Sequence, residues 1–401
     1  MLSVEDARAR ILAAIEPLPA EVVSVERALG RVLATDVTAR VTQPPRDVSA
    51  MDGYAVRAPD VAAAPARLRV IGEIPAGGDF GRAIGPGEAV RIFTGAPLPE
   101  GADTIVIQEN TARDGDQVTV QQAEPAGRWV RPAGLDFRAG SVGLRAGRRL
   151  TARDVGLAAA MNRPWLSVRR KPRVAVLATG NEVVLPGEEL DGSQIVSSNG
   201  YALSAFIEAC GGEPLHLGVA PDTTDGLRQM LSGAAQADLL LTSGGVSVGE
   251  HDLVQTVLRE MGAELGFWKI AMRPGKPLML AALHGTPVVG LPGNPVSGLV
   301  CSVLFVRPAI DRMLGREAPA EPRLPALAGR ELGENGPRRD YMRCSLTRDG
   351  AGNRVATPFD KQDSSMLSRL AEADGLLVRA PHAVALPAGS PVEVVPLDGG
   401  I

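Results

Sequence analysis

The chain has 401 residues, and its 42 Lys and Arg against 46 Asp and Glu give a formal net charge of −4. This balance provides no global positive field for nucleic acid, and the lack of an apolar run of about 18 residues excludes a transmembrane helix. The three cysteines and four histidines are widely spaced, so neither a disulfide framework nor a local zinc motif is predicted. We expect a soluble cytosolic protein, because residues 1–19 lack the apolar core of a secretory signal.

Two helices are predicted in the N-terminal part of the chain from their capping sequences. Ser3 and Asp6 form a capping box ahead of a helical apolar pattern that ends before Pro17. Thr151 and Asp154 repeat this arrangement ahead of the segment ARDVGLAAAMN.

The stretch between these helices is predicted to be β structure. Short β-branched runs alternate with turns such as PAGGD and GPGE, and the 46 glycines and 32 prolines of the chain favour many turns. The runs lie at 67–74, 88–93, 103–109 and 117–123. We expect an N-terminal helix and linking segment at 1–45, an inserted β domain at 46–134, and a linking segment that completes the first domain at 135–172.

From residue 173 onwards, apolar strands such as RVAVLAT and PLMLAAL alternate with helical segments. This alternation predicts a doubly wound, mostly parallel α/β sheet with helices on both faces. Its last segment, NPVSGLVCSVLFVRPAIDRML, is predicted as one long helix. We place the α/β domain at 173–318 and a C-terminal domain of β character at 319–401.

Three glycine turns follow strands of this sheet, at the edge where open α/β sheets bind ligands. The first, ATGNE, contains Gly180 and ends in Glu182, whose carboxylate suits a metal ion or a sugar hydroxyl. The alternative is an ordinary turn with a solvated carboxylate. The third, LPGNPVS, is explained largely as a helix start, with Asn294 as N-cap and Pro295 at the first helical position. That three such turns share one sheet edge favours a common site.

The second glycine turn, TSGGVSVGEHD, carries the strongest signal. Gly244, Gly245 and Ser247 lead into a predicted helix, and the free N–H groups of a helix N-terminus bind anions. The turn matches neither the P-loop nor the GxGxxG pattern, which argues against an NTPase and a dinucleotide dehydrogenase. Asp252 is either a capping residue or a ligand of Mg²⁺ beside a phosphate. His251 is interpreted as a surface residue.

A basic turn supplies positive charge. In RPGKP, Arg273 and Lys276 flank Pro274–Gly275, and two cations at one sheet edge suit an oxyanion. The alternative is a pair of exposed turn residues.

Other polar residues give weaker signals. Asp52 and Thr94 lie in turn sequences of the β-rich segment and are assigned mainly to turn chemistry. In the tail, Arg343 and the pair Ser364–Ser365 are interpreted from the residues alone as solvated surface.

Six motifs occur in order at a family-like spacing. They are SAMDGYAVR (49–57), RIFTGAPLPEGADTIVIQE (91–109), ATGNE (178–182), TSGGVSVGEHD (242–252), RPGKP (273–277) and LPGNPVS (291–297). Together they closely resemble the molybdopterin molybdenumtransferase family, which comprises the bacterial MoeA proteins and the homologous region of gephyrin. The likeness covers essentially the whole chain.

The resemblance implies an enzyme of molybdenum cofactor biosynthesis that inserts molybdate into adenylylated molybdopterin and releases AMP, with Mg²⁺ as cofactor. It implies a molybdopterin-binding α/β domain, an inserted β domain and a C-terminal small β-barrel domain. It also implies a homodimer whose active site is shared between subunits. Other molybdenum cofactor biosynthesis proteins are candidate partners, whereas nucleic acid and membranes are not expected.

The resemblance also assigns roles to residues at matching motif positions. The catalytic candidates are Asp52, Glu182, Asp222 and Asp252, and the metal candidates are Asp252 and Glu182. The substrate-binding candidates are Thr94, Gly244, Gly245, Ser247, Arg273, Lys276, Pro277, Asn294, Ser297, Arg343 and Ser365. Asp52 and Thr94 match residues that reach the site from the neighbouring subunit. Arg273 stands where the family often has Lys, and it keeps the charge while adding a planar donor fork.

Two alternatives stay open. A non-catalytic scaffold on the same fold, as in gephyrin, predicts the loss of active-site acids, and those acids are present here. A tungstate-selective insertase is scarcely separable by sequence, because the two oxyanions are alike in charge and shape. Either Asp52 or Glu182 positions water or metal, and the sequence does not choose between them.

Overall fold

A computed structural model of the chain describes residues 1–245, 253–316 and 321–397. The chain forms two compact units. The first unit comprises Met1–Glu21, Gly30–Ala34 and Ser167–Ile401, and the second comprises Val22–Leu29 and Thr35–Leu166. Among the described residues, no helix has the length and apolar character needed to cross a membrane.

The N-terminal helix α1 (Val4–Ala13) begins where the capping box predicts. The Ser3 side chain accepts a hydrogen bond of 3.0 Å from the backbone N–H of Asp6. Strand β1 (Ala20–Ser24) follows.

The second unit is built around a mixed six-stranded sheet. Its strands and helix are β2 (Val37–Thr38), β3 (Val48–Ser49), β4 (Gly53–Val56), β5 (Ala66–Ile74), β6 (Glu88–Ile92), β7 (Thr104–Ile107), β8 (Thr111–Asp114), β9 (Gln117–Val120), β10 (Val130–Arg131), β11 (Val142–Leu144) and α2 (Ala152–Ala160), and the chain leaves the unit through β12 (Trp165–Arg169). The sheet order is β7-β4-β6-β5-β9-β8, and apolar clusters cover both faces. The four predicted strands are confirmed as β5, β6, β7 and β9, and Thr151 and Asp154 form the predicted capping box of α2.

The first unit contains the predicted α/β sheet. Its elements are β13 (Arg173–Thr179), β14 (Val183–Val184), β15 (Ile195–Val196), α3 (Asn199–Cys210), β16 (Glu213–Ala220), α4 (Thr224–Ser232), β17 (Leu239–Ser243), α5 (Leu253–Glu260), β18 (Glu264–Lys269), β19 (Met272–Arg273), β20 (Pro277–Leu283), β21 (Thr286–Leu291), α6 (Pro295–Cys301) and α7 (Arg307–Met313). The sheet order is β16-β13-β17-β21-β20-β18. One apolar cluster joins one face to α1, α3, α6 and α7, and a second joins the other face to α4 and α5. The helices therefore cover both faces, as the alternation predicts.

The direction of β20 departs from a parallel reading. Strands β16, β13, β17 and β21 run parallel, whereas β20 is antiparallel to both β21 and β18. The cause is a tight hairpin at His284 and Gly285, whose φ angles of 51° and 87° suit the twist of a two-residue turn. As a result, β20 begins at the edge of the sheet where β21 ends.

The predicted long helix at 294–314 is interrupted. A π-helical segment, Ser302–Val306, separates α6 from α7. Pro308 has no N–H to donate to the carbonyl four residues earlier, which disfavours regular α-helical bonding across this stretch.

The C-terminal region forms a closed five-stranded barrel. Its elements are β22 (Leu324–Ala328), β23 (Arg339–Arg348), β24 (Arg354–Pro358), α8 (Leu367–Ala371), β25 (Gly375–Arg379) and β26 (Pro391–Pro396). The order β23-β24-β22-β26-β25 closes because β25 also pairs with β23. Cys344, Leu377 and Val394 belong to the barrel's own apolar cluster. Tyr341, Leu376 and Val395 instead pack in the cluster of α1, α6 and α7.

Candidate active site

The three glycine turns of the sheet meet at one edge. Gly244 follows β17 with φ of 92°, and a Cβ built on it would lie 2.9 Å from Thr179 Oγ1 at the end of β13. A Cβ on Gly293, after β21, would lie 3.5 Å from the Gly244 Cα. The turns after β17 and β21 therefore lie in contact with each other, and the turn after β17 also contacts the end of β13. The carboxyl ends of β13, β17 and β21 form one continuous backbone surface.

Asn199, the first residue of α3, ties two of these turns together. Its Nδ2 donates to Ser243 Oγ at 2.8 Å and to the Gly293 carbonyl at 2.6 Å. Two residues earlier, the Ser197 Oγ is buried and has no hydrogen-bond partner among the residues that the structure describes. Sequence reasoning missed Asn199, because its partners lie 44 and 94 residues away.

The loops after β13 and β16 are also joined. The backbone N–H of Asn181 donates to Asp222 Oδ2 at 3.1 Å, and the backbone N–H of Asp222 donates to Asn181 Oδ1 at 2.9 Å. This reciprocal pair fixes the Asp222 carboxylate in an exposed position. The Glu182 carboxylate lies over Gly180, since a Cβ on that glycine would be 2.8 Å from Glu182 Oε2. Two of the predicted acids therefore stand at this sheet edge. Ser247 and Asp252 lie outside the described residues.

The basic turn begins β20 at the same edge. Met279 of β20 pairs with Gly290 of β21, and Lys276 precedes Met279 by three residues, towards the end of β21. The Lys276 side chain is exposed, and within 1–245, 253–316 and 321–397 it forms no ion pair. Pro277, also a predicted substrate-binding residue, is the first residue of β20.

Arg273 differs from Lys276 in its partner. Arg273 Nη2 forms an ion pair with Asp340 Oδ2 on β23. Asp340 is only 5% exposed, whereas the Arg273 side chain is 59% exposed. The two residues are register partners where β19 and β23 run parallel. Sequence reasoning missed Asp340, which no local motif marks.

A loop of the barrel contacts the third glycine turn. Asn294 is the N-cap of α6 as predicted, but its side chain makes no capping bond and donates to Ser364 Oγ at 2.8 Å. The Ser364 carbonyl accepts from the Val296 N–H at 3.2 Å. Ser297, in the first turn of α6, is buried. Ser365 donates through its hydroxyl to Asp363 Oδ1 at 2.6 Å, and this bond and the Ser365 N–H lower the pKa of Asp363.

Arg343 is not the solvated residue that the tail sequence indicates, because it is 1% exposed. Its guanidinium donates to the carbonyls of Met366 at 3.0 Å and Asp363 at 2.9 Å. Gln362 completes the arrangement, with Oε1 accepting from the Arg343 N–H and Nε2 donating to the Arg343 carbonyl, both at 3.0 Å. Burial lowers the pKa of Arg343. Arg343 therefore organises the loop that carries Ser364 and Ser365.

Asp52 and Thr94 form a pair within the second unit. Asp52 Oδ1 accepts from the Thr94 N–H at 2.7 Å and from its hydroxyl at 2.8 Å. These two bonds, with a smaller contribution from the charge of Arg91, lower the pKa of Asp52. Arg91 also donates to the Gly53 carbonyl at 3.1 Å, next to Asp52. The Thr94 hydroxyl and N–H therefore fix the position of the Asp52 carboxylate and favour its charged form.

Comparison with known proteins identifies the family. The model for the MoeA N-terminal region (domain I and II) matches residues 2–162, that for a probable molybdopterin binding domain matches 175–312, and that for the MoeA C-terminal region (domain IV) matches 325–397. A molybdopterin molybdenumtransferase from Nostoc sp. is 40% identical over 335 residues, which cover 81% of this chain and 77% of the relative. The chain belongs to the molybdopterin molybdenumtransferase family.

Other members of the molybdopterin molybdenumtransferase family match along the whole length. The relative from Haemophilus influenzae is 33% identical over 99% of both chains. The crystal structure of a molybdopterin biosynthesis MoeA protein from Pyrococcus horikosii superposes with a TM-score of 0.86, at 34% identity and 99% coverage of both chains. The predicted fold class is confirmed, and the chain is an enzyme of molybdenum cofactor biosynthesis.

Proposed function

We propose that this enzyme inserts molybdate into adenylylated molybdopterin and releases AMP in a Mg²⁺-dependent reaction. The observation that carries the proposal is the meeting of three glycine turns and one basic turn at a single sheet edge. Backbone N–H groups there suit phosphate oxygens, and Lys276 suits a dianionic oxyanion. Tungstate, with the same charge and shape, is the competing substrate in the test below.

The chemistry expected of these residues is positioning and charge neutralisation. The Lys276 ammonium attracts the oxyanion, and the Ser364–Ser365 loop lies next to the turn at Asn294. The sheet-edge turns hold the phosphates of the adenylylated substrate in place, so that molybdate and the bond to AMP are brought together. Asp52 and Glu182 are both candidates for positioning water.

Glu182 and Asp252 are the proposed ligands of Mg²⁺. Within the described ranges there is no group of three His, Cys, Asp or Glu residues that would hold a metal alone. The two carboxylates suit Mg²⁺, which proteins commonly bind through one or two carboxylates plus the phosphate oxygens of the substrate. Glu182 is exposed and so is accessible to such an ion. The ion, when bound, neutralises charge on the phosphate oxygens of the leaving AMP.

The remaining proposals concern assembly and location. We propose a cytosolic homodimer in which Asp52 and Thr94 of one subunit complete the site of its partner. The resemblance of SAMDGYAVR and RIFTGAP to motifs that act across subunits supports this arrangement. A mixture of two impaired variants, Asp52→Ala and Lys276→Ala, should be more active than either variant alone at low molybdate concentration, because one of the two sites of a heterodimer would be intact.

The test of the activity is AMP release by the purified protein from adenylylated molybdopterin, with Mg²⁺ and either molybdate or tungstate. We expect molybdate-dependent release that EDTA abolishes. Lys276→Ala should raise the KM for molybdate, whereas Lys171→Ala should not, because Lys171 precedes β13 at the opposite edge of the sheet. Release no faster than in buffer would overturn the proposal, and release with tungstate alone would assign the other oxyanion.

A further inference from the structure

Asp340 is a buried carboxylate that the proposed reaction does not use. It lies on β23 with 5% of its surface exposed, and its register partners are Arg273 on β19 and Arg379 on β25. The Arg379 guanidinium donates to the carbonyls of Gly333 at 2.9 Å and Val384 at 2.5 Å. Arg273 forms the ion pair with Asp340.

A buried carboxylate is costly unless a cation pairs with it. Arg273 meets this need, so the charges of Arg273 and Asp340 cancel locally. The same pair connects the 273–277 turn of the sheet to the barrel, next to the β19–β23 ladder. Three residues after Arg273, Lys276 is exposed and has no ion pair among the residues described.

We propose that Asp340 is a positioning residue for the oxyanion site. It holds Arg273, and through Arg273 it fixes the 273–277 turn. Lys276, which has no ion pair among the described residues, is then the cation offered to the oxyanion. Arg273 then anchors the 273–277 turn to the barrel through Asp340, and it does not bind the oxyanion together with Lys276. This inference rests on the proposed function, because molybdate binding at Lys276 is part of that proposal.

A double-mutant cycle read out as KM for molybdate and kcat tests the inference. We expect Arg273→Ala and Asp340→Asn each to raise the KM for molybdate about fivefold or more, with little change in the KM for adenylylated molybdopterin. The double variant should match Arg273→Ala alone. In a Lys276→Ala background, neither substitution should raise the KM further, because both act through Lys276.

Two comparisons separate positioning from general damage. Arg273→Lys should recover most of the loss seen in Arg273→Ala, because lysine keeps a cation opposite Asp340. Arg228→Ala removes the exposed ion pair with Glu260 in the same unit, of 2.8 Å, and should leave the KM for molybdate unchanged. If Asp340→Asn fails to fold, Arg273→Gln with and without Lys276→Ala provides the same test of coupling.

The contrary result is equally specific. If Arg273 bound the oxyanion directly, Asp340→Asn would release its charge and lower the KM for molybdate. The effects of Arg273→Ala and Lys276→Ala would then multiply. If the wild-type enzyme is active, either result would overturn the positioning role of Asp340 but leave the proposed function standing. An inactive wild-type enzyme would overturn the proposed function itself.

Discussion

Gly275 lies within the basic turn and packs against Cys301 and Met272, and Gly275→Ala should destabilise the first unit. The residue is buried with φ of 100°, a conformation that L-residues rarely adopt. A Cβ at this position would lie 2.5 Å from Cys301 Sγ and 3.1 Å from Met272 Cε. The substitution therefore combines backbone strain with overpacking against α6.

The expected magnitude follows from these two contributions. Backbone strain of a non-glycine residue at positive φ costs about 1–2 kcal/mol. An extra methyl group in a packed core costs about 1–3 kcal/mol. We therefore expect Gly275→Ala to lower the free energy of unfolding of the first unit by about 2–5 kcal/mol, and to reduce turnover because Lys276 is displaced.

Gly285→Ala is the matched control. Gly285 has a similar φ of 87°, but a Cβ there would meet no atom within 4 Å. Its substitution should show the strain contribution of about 1–2 kcal/mol alone. Urea unfolding followed by far-UV circular dichroism measures both variants. Equal losses in the two variants would refute the argument that Gly275 is required by the contact with Cys301. Cys301→Ala in the Gly275→Ala background should restore part of the loss.

Three further predictions concern charged residues. Thr94→Val removes the hydroxyl donor to Asp52, so the pKa of Asp52 should rise from its depressed position towards the ordinary value of 3.8, as measured by carboxyl NMR titration. Asp154→Ala removes the α2 capping box and the ion pair with Arg148. It should lower the free energy of unfolding of the second unit by about 2–4 kcal/mol, as measured by urea unfolding. An exposed ion pair in the first unit, between Arg369 and Glu372, gives the comparison: Glu372→Gln should lower the free energy of unfolding by at most about 0.5 kcal/mol. Arg343→Lys should speed proteolysis at 361–366 and raise the KM for molybdate, because lysine cannot bond several carbonyls at once.

Each of these predictions has a contrary outcome. An unchanged titration of Asp52 in Thr94→Val would show that the hydroxyl does not stabilise the carboxylate. Burial of Asp154 alone would raise its pKa, but hydrogen bonds from Arg148 and Thr151 outweigh this effect and lower the pKa in the folded state. The contribution of Asp154 to stability should therefore be present at neutral pH and should be lost as the pH falls through the folded pKa. Stability of the wild type that does not depend on pH in this range would contradict the assignment. Unaltered proteolysis of Arg343→Lys would show that the loop is held by other contacts.

Sequence predicts best where the deciding contacts are local. The predicted caps at Ser3 and Thr151 depend on residues three positions away. Ser3 accepts from the Asp6 N–H, and Thr151 forms the full capping box with Asp154. The first two glycine turns can also be predicted, because Gly180, Gly244 and Gly245 adopt positive φ angles that favour glycine over other residues. The sequence alone misassigns Arg343, whose hydrogen-bond partners lie 18 to 23 residues away. It gives no sign of Asp340, whose partner is 67 residues distant.

The direction of β20 shows why tertiary context matters for the site. A parallel β20 would begin at the amino-terminal edge of the sheet and carry Lys276 away from the glycine turns. The hairpin at His284–Gly285 reverses the strand and brings the basic turn to the carboxyl edge. Two residues far from the turn thus decide where its cation lies, and a strand pattern alone does not reveal this.

The barrel corresponds to its own family match, yet it has no independent core on the side that faces the helices. Tyr341, Leu376 and Val395 share an apolar cluster with α1 and α7, and β23 is the partner of β19. A fragment that ends before β22 would open this cluster to water and leave β19 without its ladder. Excising the barrel, or exchanging it for that of a relative, would therefore require compensating changes in α1, α7 and the basic turn. The family match at 325–397 is therefore shorter than the compact unit to which the barrel belongs.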